Sequence, residues 1–170
     1  MIGYVSARIN PQSTSTSFAP NTFVSGGVVE ITVGSSLYGF NLQCDSRIRS
    51  PLYVRMFYFD ATDFSMNDMF GHNAATGEYI PDILPGGQLL IGDGIDGGAP
   101  IRFNLSSGQE VELGYMKVFW STQPLELDHL KQKSAFTMRS GDMRGAEVVR
   151  DVAADKWGTA CLALILRKPV

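Results

Sequence analysis

Residues 51–60, PLYVRMFYFD, constrain the fold of this chain more than any other stretch. An extended strand sends alternate side chains to opposite faces. Here Leu52, Val54, Met56 and Tyr58 share one parity, Tyr53, Phe57 and Phe59 the other, and Arg55 alone interrupts the second set. A strand wet on one side would show polar residues on that side. Apolar residues on both predict a strand covered on both faces, as in the middle of a sandwich. Aromatic and β-branched content favours a strand over a buried helix at this length.

Other segments read the same way. Residues 28–33 (VVEITV) are β-branched at strand length, and 37–44 alternate, with Gly39 marking a bulge or a close backbone approach. Residues 3–9, 88–91, 100–105 and 110–121 add strands, the last bent at Gly114, and 160–166 (ACLALIL) reads as a buried strand. Residues 125–132 (LELDHLKQ) and 146–154 (AEVVRDVAA) predict one or two short helical turns. Eighteen glycines supply the turns between strands. The expected fold class is all-β: a single-domain, jelly-roll-like β-sandwich over residues 1–170, with 1–27 forming a strand plus a flexible arm.

Composition excludes several roles. Apolar residues at 44% and charged residues at 18% are enough for a core without disulfide or metal staples. Fourteen basic against 17 acidic residues leave a net charge of −3, whereas phosphate-backbone recognition needs a concentrated basic surface. No nucleic-acid partner is expected, and Arg47, Arg49 and Arg55, close in sequence, read as solvated charges at strand ends and edges. The N-terminal residues lack the basic start and apolar stretch of a signal peptide. Nothing approaches the roughly 18 apolar residues of a spanning helix, so the expected location is cytoplasmic, with no membrane partner.

The candidates for chemistry are few. His72 and His129 are the two histidines, and Cys44 and Cys161 the two thiols, both within strand-like apolar stretches that predict burial rather than reactivity. No G-x-S-x-G elbow occurs. No catalytic residues, and hence no enzyme, are expected. The glycine-rich GDGIDGG, residues 92–98, carries Asp93 and Asp96 with Asp82 upstream, but it lacks the closing Glu of a calcium loop and the Lys-Ser/Thr of a phosphate loop. A tight hairpin turn explains it, with no metal and no cofactor.

Residues 61–87 read as a long irregular connection, the kind of segment that carries recognition. Within it Phe70, His72 and Asn73 put an aromatic ring beside short polar groups, the combination that stacks on a sugar and bonds its hydroxyls. A plain surface loop with Phe70 tucked inward fits the same residues. Candidate ligand-binding residues are thus Phe70, His72, Asn73, Asp93 and Asp96. Trp120 is expected in the core and Trp157 packed beneath a loop.

Four phrases, SPLYVRMFYFDATDFSM, LLIGDGIDGGAPIRFNL, GQEVELGYMKVFWSTQPLEL and WGTACLALILRKP, occur in this order between residues 50 and 169. Together they resemble the β-rich domain that follows the peptidase in mushroom (basidiomycete) caspase-like proteins. The resemblance rests on Phe57 to Asp60, Ile91 to Gly94, Gly114 to Phe119 with Ser121 and Thr122, and Trp157 through Pro169, and covers roughly residues 30–170. It implies a fungal, caspase-associated accessory domain and supplies no catalytic residues, since the peptidase part is absent. Met69, Phe70, Gly71 and His72 replace the Trp-Tyr pair often found there, which implies a different ligand.

The expected function is a non-catalytic binding module, lectin-like and directed at carbohydrate through residues 66–79 and 92–98. The alternative is a protein-interaction or oligomerisation domain associated with caspase-like proteases, with a protein ligand or a second copy as partner. Membrane binding or pore formation ranks below both.

Overall fold

A computed structural model describes residues 6–12, 21–23, 27–34, 37–44, 48–71, 79–95, 97–137 and 156–169, the first two segments as backbone. Nine strands form in them: β1 (Ser6–Gln12), β2 (Asn21–Phe23), β3 (Val28–Thr32), β4 (Leu37–Gln43), β5 (Tyr53–Asp60), β6 (Met66–Phe70), β7 (Gln88–Ile91), β8 (Val111–Ser121) and β9 (Trp157–Arg167). The helical content of these residues is two 3-10 turns, Asp128–Leu130 and Ala135–Thr137. The expected all-β architecture is the observed one. No helix here is long and apolar enough to cross a membrane.

The strands make two sheets, β2-β1-β4-β7 and β3-β9-β8-β5-β6. Pairing is antiparallel apart from β3, which runs parallel to β9 along the edge of the larger sheet. One parity from each sheet meets in a shared core: Tyr38, Phe40 and Leu42 with Leu89 and Ile91 from the smaller sheet, and Val54, Met56, Met116, Val118, Trp120, Leu162 and Leu164 from the larger. The alternation in the sequence is what places them there, because cross-strand partners such as Val54 and Trp120, or Met56 and Val118, point the same way. Gly39 fulfils its expected role as a close approach: a β-carbon there would lie 2.7 Å from the carbonyl oxygen of Ile91 on the neighbouring strand.

Residues 61–87, read as an irregular connection, contain β6, which pairs with the end of β5 across a register shift at Met56/Phe57. Its short mixed sequence, MNDMF, hides the strand because only part of one face is covered. Conversely, residues 100–105 form no regular strand: Ile101 makes a single bridge to Tyr38, and Phe103 wedges its ring against Tyr38 and Tyr58. At Gly114, where a bend is expected, β8 keeps continuous register with β9 while its pairing with β5 ends. That glycine is needed because a side chain would overlap the ring of Tyr58. The helical reading of 146–154 lies outside the described residues.

Candidate binding surfaces

The second apolar parity of β5 faces away from the shared core, and its cover is residues 122–137. This segment leaves β8, crosses β5 and runs beside β6, where Gln132 and Met66 exchange backbone hydrogen bonds of 2.8 and 3.1 Å. Phe57 is fully buried beneath it, edge-on to Phe119. Arg55, read from the sequence as a solvated charge, is only 3% exposed. Its position on the inward-covered parity of β5 decides this, and the charge survives because partners surround it. Its Nη2 donates to Asp68 at 2.7 Å and to Asp128 at 2.8 Å, Nη1 reaches the carbonyl of Leu125, and the guanidinium lies 5.5 Å over the ring of Phe57. Lys131 closes the cluster at 3.2 Å from Asp68 and 3.4 Å from Asp128.

The cluster favours the charged forms of Arg55 and Asp128. Burial opposes the charge on Arg55, yet the hydrogen bond to Asp128 and the charge of Asp68 outweigh it and hold the pKa above the ordinary value. Asp128 is held below the usual carboxylate range, first by the hydrogen bond from Arg55 and then by its charge. Two atoms here, Arg55 Nε and Asp68 Oδ1, are buried with no hydrogen-bond partner among the described residues. Gly71 lies directly against the guanidinium, where any β-carbon would overlap it. The arrangement clamps a covering segment onto a sheet, with Asp128 and Lys131 on its solvent side.

The residues singled out in the sequence do not converge. Phe70 pairs with Met56 and packs inward against the core. Asp93 is taken up by its own turn, its Oδ1 accepting the backbone N–H of Ile95 at 2.9 Å and of Gly97 at 3.0 Å; the turn is tight but joins no hairpin, since β7 pairs with β4. His72, Asn73 and Asp96 lie outside the described residues. Register also separates the two regions. Phe70 pairs with Met56 in the middle of β5, whereas Leu52 bridges Ile83 and the Tyr53 hydroxyl meets the carbonyl of Tyr79 at its start. From there β7 runs away, and the 92–98 turn closes beyond Ile91, next to Tyr38 and Pro100. Phe70 therefore belongs to β6 of the larger sheet, and Asp93 to the turn beyond β7 of the smaller one.

Neither thiol is joined in a disulfide. Cys44 is buried in the core, and Cys161 is half-buried on the outer face of β9, because its parity is opposite to that of Leu162. Among the described residues no group of three or more His, Cys, Asp or Glu could hold a metal ion.

Two exposed apolar surfaces escaped the sequence reading. One is an aromatic corner at the end of β5. Phe136, Phe64, Phe59 and Tyr115 form a chain of ring contacts, each 6.2 Å between centroids. Phe136 is 76% and Phe64 46% exposed. Phe64 has φ +61°, the left-handed region that non-glycine residues enter at a cost of roughly 1–2 kcal/mol. Its turn is bound in place: Phe64 N–H donates to the Asp60 carbonyl, Thr62 N–H to the Asp60 carboxylate, Ser65 N–H to the Asp63 carboxylate, and Gln132 Nε2 to the Phe64 carbonyl. The bond from the Ser65 N–H, followed by one from its hydroxyl, holds the Asp63 carboxyl below its usual range.

The other surface lies at the start of β5. Asp82 accepts the N–H of Val54 at 2.7 Å and Ile83 is buried, so the turn between Pro81 and Pro85 is pinned with Ile80 (72% exposed) and Leu84 pointing outward. Tyr53 and Ser121 pair across the sheet, and Ser121 pairs with Trp157, which is 63% exposed rather than packed beneath a loop. Its odd position on β9 turns it to the outer face, beyond the reach of the covering segment. Apolar residues around two prolines, YIPDILP, were the available signal for this surface.

No protein-family model, curated protein or solved structure matches the chain.

Proposed function

We propose that this chain is a non-catalytic binding module that docks a partner protein through the aromatic corner of Phe64 and Phe136. The observation that carries the reading is Phe64 itself. Phe64 makes its ring contacts with Phe59 and Phe136 against the cost of a positive φ, and such backbone strain concentrates where recognition needs a preset side chain. A rigid exposed ring beside a second one is the kind of anchor that dominates protein interfaces. The resemblance to the accessory domain of caspase-like proteins supports a protein partner and suggests a peptidase of that class. Carbohydrate recognition is the second reading. It draws on the same rings beside Asp60, Asp63 and Gln132, but the rings tilt by 54° and 57° to their neighbours and offer no flat platform for a sugar.

Calorimetric titration of a purified fungal caspase-like peptidase, run beside a glycan array, tests both. The expected result is binding to the peptidase that weakens at least tenfold in Phe136→Ala and in Phe64→Gly, with folding unchanged. Glycan binding lost in the same variants would transfer the function to the second reading. Silence from both ligands would retire the corner as a recognition site.

A further inference from the structure

The covering segment is fastened by polar contacts. None of residues 122–137 is buried, although Phe57 and Arg55 beneath them are 0% and 3% exposed. Its leucines, Leu125, Leu127 and Leu130, are only half-buried, whereas the sheets hold fully buried side chains such as Leu42, Val54, Met56 and Leu164. A segment with few buried apolar side chains opens at a lower free energy than core strands do.

Its fastenings fall into two groups. The first is a latch: Arg55 donates to the Leu125 carbonyl and to Asp128, and Lys131 pairs with Asp68. The second is a seam beside β6. There Met66 N–H donates to the Gln132 carbonyl, Gln132 N–H to the Met66 carbonyl, and Ala135 N–H to the Asp63 carbonyl at 2.9 Å. Phe136 is the next residue, and its ring meets Phe64 from there. The corner is therefore composite, since Phe64 belongs to the turn after β5 and Phe136 to the covering segment. The closed latch also carries an opposing cost. Arg55 Nε and Asp68 Oδ1 are buried without a hydrogen-bond partner among the described residues, and lifting the segment brings water to the cluster.

We infer that residues 122–137 lift from the larger sheet as one unit while both sheets stay folded, taking Phe136 out of the corner. Asp128 and Lys131 are then positioning residues, which keep the recognition surface assembled. The inference rests on the proposed reading of the corner and adds its regulation. A partner that needs both rings binds the closed form alone, so binding holds the segment down. By the same linkage, its affinity falls in proportion to the closed fraction when the latch is weakened.

Hydrogen exchange of the full chain near neutral pH, followed amide by amide by NMR, tests this. The N–H groups of Met66, Gln132 and Ala135 lose their acceptors together when the segment lifts. They are expected to share one opening constant, larger by about tenfold or more than those of Val118 and Leu162 in the core. The double variant Asp128→Ala, Lys131→Ala changes two exposed side chains and leaves the Arg55–Asp68 pair in place. It is expected to speed the three amides together by about tenfold, the worth of a lost charged hydrogen bond, without moving Val118 or Leu162. Asp128→Asn stands in if that variant does not fold. A disulfide from Met66→Cys with Gln132→Cys, added to the double variant, is expected to slow Ala135 again, and its reduction to restore fast exchange. A saturating fungal caspase-like peptidase is expected to slow the three amides of the wild type.

Three amides that exchange as slowly as the core, at unrelated rates, or unmoved by the double variant overturn the inference. So does a disulfide that fails to slow Ala135, or a peptidase that binds in calorimetry without slowing the three. Exchange that follows every expectation in the free chain, with no peptidase binding at all, upholds the lifting unit and removes the proposed partner instead.

Discussion

Arg55 and Asp68 face each other 2.7 Å apart on the side of the larger sheet that looks away from the shared core. Both belong to the sheet, on β5 and β6, yet the covering segment completes their environment, with Asp128 and Lys131 bound to the same pair. Removing one partner of a buried pair leaves the other charge uncompensated, which typically costs about 3–5 kcal/mol. Arg55→Ala is expected to lower stability by roughly that amount in urea unfolding, whereas the double variant Arg55→Met, Asp68→Leu loses less than the single one. Equal losses would show that the pair is solvated in the folded protein.

Gly71→Ala tests how closely backbone and guanidinium are packed. The added methyl overlaps Arg55, whose side chain is fixed at its far end by two carboxylates. A loss of about 1–3 kcal/mol is expected from overpacking of this kind. An unchanged urea midpoint would mean that Arg55 can move aside.

Stability should fall in acid for a stated reason. Asp128 and Asp63 titrate below the ordinary carboxylate range when folded, the first through Arg55 and the second through the N–H of Ser65. The unfolded chain therefore binds more protons than the folded one in this region. Their contribution is whole above the unfolded pKa near ~4 and disappears as pH falls through the lower folded values. Urea midpoints measured from pH 7 down to 2 are expected to stay level and then drop below about pH 4, more shallowly in Asp128→Asn. A variant that tracks the wild type throughout would remove Asp128 from the account.

Phe64→Gly and Phe64→Ala separate backbone strain from ring contacts. Both delete the ring, but only glycine relieves the left-handed backbone at φ +61°. The glycine variant is expected to be more stable than the alanine variant by about 1 kcal/mol. The reverse order would mean that the turn relaxes on losing its ring.

Register gives a contrast between neighbours in β9. Leu164 is fully buried in the core while Ile165 faces outward and is only partly covered. Leu164→Ala is expected to cost about 2–5 kcal/mol and Ile165→Ala much less. Similar costs would indicate that the outer face of β9 is as closely packed as the inner.

Much of this was legible in the linear order of residues, because a strand's period of two translates directly into which face a side chain occupies. Apolar residues on both parities of residues 52–59 announced a doubly covered strand, and ACLALIL announced a core strand. Gly39 and the 92–98 turn followed the same local logic: Gly39 lies against the next strand, and the turn uses Asp93 to bind its own backbone. Recognition was harder to read. Phe70 looks like a loop aromatic until β6 pairs with β5 and turns it inward, and Arg55 looks solvated until residues 122–137 cross over it. Phe64, Ile80 and Trp157 resemble core residues in composition, and only their places relative to the covering segment leave them in solvent. Alternation fixes a side chain's face locally, but whether that face meets water depends on segments far away in the chain, and that is settled only when the sheets and their cover assemble.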